Sequence, residues 1–137
     1  MARSTIRGFW RQRGTDTATP SVALQYLQFS LDPTQASAAT GMILPRGAIV
    51  VGVQNLNGGA TGGTNPVVDI GTEADNDGFV DGLDADGITS PITTGALLGS
   101  ALTADTEIYA GVGAAAATGG TVLVAVTFIM EDDGQRA

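Results

Sequence analysis

Short runs rich in Val and Ile alternate along this chain with breaks rich in Gly, Pro, Asn and Asp, and no amphipathic helical spacing persists anywhere. Strands and turns follow from that pattern. Residues 22–31 read as a strand with a bulge where the apolar parity slips between Tyr26 and Leu27, and Asp32 and Pro33 end it. The β-branched run 48–53 suits a strand buried on both faces, and 67–70 a shorter one. Residues 107–112 and 121–130 read as two strands, joined as a hairpin by the Ala- and Gly-rich stretch 113–120. The small residues of 36–40 and the leucines Leu97, Leu98 and Leu102 fall in connecting segments, and 55–64 reads as a solvent-exposed loop. Six or seven short strands with charges at their ends predict an all-β fold, an antiparallel β-sandwich.

The 137 residues suit a single core, read here as a β-sandwich domain over residues 21–137 behind an N-terminal arm over 1–20. The longest apolar run, 122–130, is too short for a membrane span, and no signal-peptide core stands near the first residues, so neither membrane insertion nor Sec export is expected. Catalytic options are few. The chain has no His, no Cys and no Lys, which removes Ser-His and Cys-His nucleophiles, thiolate metal sites, Schiff bases and the phosphate-loop lysine. Paired carboxylates for glycoside hydrolysis remain chemically open, but one Trp and two Tyr give little material for a sugar cleft. The expectation is a non-enzyme without a cofactor.

Charge divides the chain into unlike parts. Residues 1–20 hold four Arg against one Asp, a balance of +3, while the other 117 residues balance at −11, which gives the net −8. In the arm, Arg3, Arg7, Arg11 and Arg13 flank Phe9 and Trp10, the only Trp of the chain. The arm is either a solvated terminus or a docking segment. Trp and Arg are the residues that most often anchor interfaces, and this favours docking. The acidic body would repel phosphates, so nucleic acid is not an expected partner.

Six carboxylates, Glu73, Asp75, Asp77, Asp81, Asp84 and Asp86, crowd into one stretch that also carries Phe79, Val80 and Leu83. Such density invites a hard cation. The calcium-loop template nevertheless fails, because Phe79 stands at its fifth position and Asp86 at its twelfth. Solvated acidic loops with apolar anchors are the expectation, and no metal site.

The stretches GAIVVGV (47–53), VDIGTEADNDGFVDGL (68–83), LTADTEIYA (102–110) and GGTVLVAVTF (119–128), in this order and spacing, resemble small capsid decoration, or cement, proteins and head-associated proteins of tailed bacteriophages. The most specific piece is DIGT followed by ADNDGFVDGLD. The resemblance spans roughly residues 43–130 and leaves the arm outside. It implies a jelly-roll-like antiparallel β-sandwich with no catalytic site, a homotrimer in the virion. Such a subunit is assembled in the host cytoplasm, sits on the outer capsid surface and binds the major capsid protein, holding capsomers together. Arg3, Arg7, Phe9, Trp10, Arg11 and Arg13 would then be the capsid-binding residues, the Arg pairing with shell carboxylates and the rings filling apolar pockets. A head-fibre or tail-associated β-module and a carbohydrate-binding module are the alternatives. The latter requires exposed aromatics, and Tyr26, Phe79 and Tyr109 all stand in apolar contexts that read as core.

Overall fold

The computed structural model describes residues 24–57 and 62–130, which contain seven strands and no helix. The strands are β1 (Gln25–Leu31), β2 (Ala38–Leu44), β3 (Ala48–Asn55), β4 (Val67–Gly71), β5 (Val80–Asp84), β6 (Thr106–Val112) and β7 (Val122–Met130). They form two antiparallel sheets, β1-β7-β3 and β2-β6-β4-β5. Only β4 and β5 are both consecutive in the chain and paired; β5 and β6 share a sheet without pairing, and every other connection between strands crosses from sheet to sheet. This is the strand order of an eight-stranded jelly roll with one strand reduced to an irregular segment. That segment, residues 88–102, runs along the outer edge of β3, bridging it at Val53↔Ile92 and Ile49↔Ala101. Thr89 and Ile92 donate their N–H groups to Asn55 and Val53, and Leu102 donates to Ala48. An otherwise open edge is thereby covered.

Period-two alternation explains the core. Val122, Val124, Val126 and Phe128 of β7 point inward, opposite Leu31, Phe29 and Leu27 of β1, and meet Val68, Ile70, Ile108 and Leu83 of the other sheet in one cluster. Among the described residues, Asn55 is the one buried polar side chain, and it is satisfied: Nδ2 donates to the Asp84 carbonyl at 3.0 Å and Oδ1 accepts from the Asn57 N–H at 3.1 Å.

Several expectations are corrected. β1 runs in unbroken register with β7 from Gln25↔Phe128 to Leu31↔Val122, so there is no bulge between Tyr26 and Leu27. Tyr26 instead faces out and is 62% exposed, because an edge strand tolerates a ring in solvent on its outer face. β6 and β7 are not a hairpin, since they belong to different sheets and 113–121 crosses between them. The small-residue stretch near 38 is part of a strand, β2, which exists because β6 offers it a partner. A positive φ of 81° at Gly41 accommodates the register shift between Ala39 and Ile43. Charges also stand within strands, as with Asp69 in β4 and Asp81 in β5.

Candidate functional site

An acidic groove of about 590 Å³ opens where the turn after β4, the start of β6 and residues 97–105 meet. Alternation along β6 builds it: Ile108 and Ala110 turn into the core, which turns Glu107 and Tyr109 outward. The turn after β4 contributes Thr72, Glu73 and Ala74, and the segment before β6 contributes Asp105. Leu97 and Leu102, both half-buried, supply apolar lining. Two of the acids are held by the backbone. Glu107 accepts the Gly41 N–H at 3.0 Å, and Asp105 accepts the Arg46 N–H at 2.9 Å. Ile43 pairs directly with Glu107, so its 57% exposed side chain shares the same outer face. Burial, followed by the charges of Glu73 and Glu107, pushes the Tyr109 phenol above its ordinary value. A groove of this make-up is suited to a cationic, partly apolar ligand.

A second acidic feature lies at the β4–β5 hairpin. Asp69, Asp77 and Asp81 bring carboxylate oxygens within 4.8 Å of one another. Three carboxylates are a partial set beside the six to eight oxygens that calcium takes. Burial pushes Asp69 up from its ordinary 3.8, the Gly82 N–H donated to Oδ1 at 3.0 Å opposes this, and the charges of Asp81 and Asp77 add to the rise. Asp75 is also raised, chiefly by its side-chain hydrogen bond with Asp77 and then by desolvation. Asp32 moves the other way, lowered by hydrogen bonds from the Thr34 hydroxyl at 2.7 Å and the Thr34 N–H at 2.9 Å.

These directions fix a pH response. A carboxyl whose folded pKa exceeds its unfolded 3.8 destabilises the fold at neutral pH. Stability therefore rises as pH falls through the folded pKa values of Asp69 and Asp75, and this gain is complete below 3.8. The Asp32 contribution is present above 3.8 and is lost only at lower pH, through its own depressed folded value. The melting temperature is expected to rise on acidification from neutral pH toward about 4. Asp69→Asn is expected to raise it at neutral pH and flatten the profile; a melting temperature that falls steadily from neutrality contradicts this reading.

The six arm residues Arg3, Arg7, Phe9, Trp10, Arg11 and Arg13 lie outside the described residues. Of the six acids singled out in the sequence, the structure sends Glu73 to the groove and brings Asp77 and Asp81 together with Asp69. Asp84 and Asp86 instead line a small cleft with Asn65, Pro66 and Val67. Sequence reasoning missed Asp69, Asp105, Glu107 and Tyr109 as site residues. The alternation of 106–110 carried the signal for the last two, which a strand must place together on the face opposite Ile108. Of the three aromatics read as core, Phe79 is fully buried, Tyr26 is exposed and Tyr109 is half-buried on the groove.

No protein-family model matches the chain, and no curated protein does. A solved structure does. A chain from a structure described as "Cyanophage Pam1 capsid asymmetric unit" superposes with a TM-score of 0.61, at 20% sequence identity, over 88% of this chain and 94% of that one. The two chains share a fold.

Proposed function

We propose that this chain is a structural virion protein of a tailed phage. In this reading it is a decoration or cement subunit that binds the outer surface of the head through its N-terminal arm and stabilises contacts between capsomers. The observation that carries the proposal is the fold shared, over nearly the whole of both chains, with a chain of a cyanophage capsid asymmetric unit. The residue inventory supports it. A chain without His, Cys or Lys has little catalytic chemistry, and an arm of four Arg around Phe9 and Trp10 suits attachment. As a homotrimer the subunit presents three arms, and their joint engagement raises avidity beyond that of one arm. The carbohydrate-binding alternative has one observation in its favour, the exposed ring of Tyr26, which by itself is a small stacking platform.

Co-sedimentation with empty heads tests the proposal. The intact chain is expected to sediment with heads, and deletion of residues 1–14 to leave a β-sheet circular-dichroism signature but weaken binding. Trp10→Ala is expected to weaken binding by about 30-fold, matching an aromatic anchor of about 2 kcal/mol, and Arg3→Ala by much less. Undiminished binding after the deletion rejects the arm as anchor, and an intact chain that stays in the supernatant rejects the decoration role.

A further inference from the structure

The acidic groove is left without a counterpart by the function proposed above. Three acids line it, Glu73, Asp105 and Glu107, and the only basic residue anywhere in residues 24–130 is Arg46. The basic side chains of this protein are concentrated elsewhere: four of the six precede residue 14, interleaved with Phe9 and Trp10. The composition of the arm is thus the complement of the groove in both respects, positive against negative and aromatic against the Leu97 and Leu102 lining.

Topology puts the two within reach. Gln25 at the start of β1 pairs with Phe128, and Ala48 at the start of β3 pairs with Met130, so β1 begins at the end of the sandwich where β3 begins. The groove lies at that same end. Immediately before β3, the Gly47 N–H donates to the Leu102 carbonyl at 2.8 Å, and the Arg46 N–H donates to Asp105. Ten residues separate Arg13 from Leu24. Extended, they span roughly 35 Å. The path from β1 round the β2 edge to the outer face of β6 crosses one sheet separation of about 10 Å and one strand spacing of about 4.8 Å. It passes the exposed Ile43.

We infer that the groove formed by Glu73, Asp105, Glu107 and Tyr109 over Leu97 and Leu102 is a docking site for residues 7–13 of the chain's own arm. Arg side chains would meet the carboxylates and stack on the Tyr109 ring, and Phe9 or Trp10 would cover the leucines. A short tether gives the arm of the same molecule an effective concentration in the millimolar range, above that of a second copy in dilute solution. The free subunit would then store its arm on its own body, and a stronger acidic and apolar surface would have to displace it.

Because Trp10 is the only Trp, its fluorescence in the full-length protein reports the arm directly, without any head particle. The expected emission is blue-shifted from that of hydrated indole and unchanged on dilution. Combining Glu73→Gln with Glu107→Gln is expected to shift it to the red, and Gln at 107 can still accept the Gly41 N–H. Raising salt from about 0.01 M to about 1 M should red-shift the unmodified chain in the same way, which gives a measurement independent of the variant's folding. Emission of hydrated indole in the unmodified chain overturns the inference. So does a blue shift insensitive to both the variant and salt. A blue shift that fades on dilution assigns the groove to a second copy and also overturns it. Each result is separable from the co-sedimentation outcome, which concerns the arm on the shell.

Discussion

Phe79→Ala is expected to destabilise the fold by about 3–5 kcal/mol, the cost of a large cavity where the surroundings cannot collapse. Phe79 is fully buried although it lies in the most acidic stretch of the chain. Its N–H donates to the Ile70 carbonyl at 2.9 Å, which closes the β4–β5 connection, and the ring joins the cluster shared by both sheets. The irregular segment over β3 rests on the same point. Leu97 donates its N–H to the Gly78 carbonyl at 2.7 Å, and a Cβ on Gly95 would collide with the Phe79 carbonyl. Neither neighbour can move in to fill the void without releasing these bonds. Denaturant melts comparing the variant with the parent check this, and a loss below about 1 kcal/mol would show that the loop repacks freely.

Gly111→Ala is expected to cost about 3 kcal/mol, and the reason is backbone, not side chain. Gly111 sits in β6, opposite Asp69 of β4, and a Cβ there would run into the backbone of Ser37 and Ala36. That backbone is fixed as well. The Val112 N–H donates to the Gln35 carbonyl at 2.7 Å, tying the β1–β2 connection to β6 beside the contact. A flexible side chain could rotate away, but two strands and a turn would have to separate. Gly119, which has open space around the Cβ position, provides the control: Gly119→Ala should change the melting temperature little. Equal melting temperatures for the two variants would contradict the packing argument.

The legible part of the fold was the part governed by local residue pattern. The runs at 48–53, 67–70, 107–112 and 121–130 all became strands, because short runs rich in β-branched residues and bounded by turn residues suit a pleated, buried backbone. The unreadable part was pairing. Residues 106–112 and 122–130 look like hairpin partners in one dimension, yet β7 is the centre strand of the sheet that β6 does not enter. β2 has Ala38, Ala39 and Gly41 where a strand normally shows branched residues, and only its partner β6 makes it extended. The 88–102 segment has no strand pattern at all, and its role in covering β3 depends on what surrounds it.

The candidate site divides in the same way. Sequence by itself determined that the chain is all-β, poor in catalytic groups, and split into a basic aromatic arm and an acidic body, since these are properties of composition and local pattern. It also marked 73–86 as acidic. Tertiary structure decided which acids act together. Asp69 joins Asp77 and Asp81 only because the β4–β5 hairpin folds them onto one face, and Glu73 joins Glu107 only because β4 and β6 are neighbours. Carboxylates far apart in the chain interact through sheet pairing, and pairing is settled by how the whole core closes, which no local window of residues encodes.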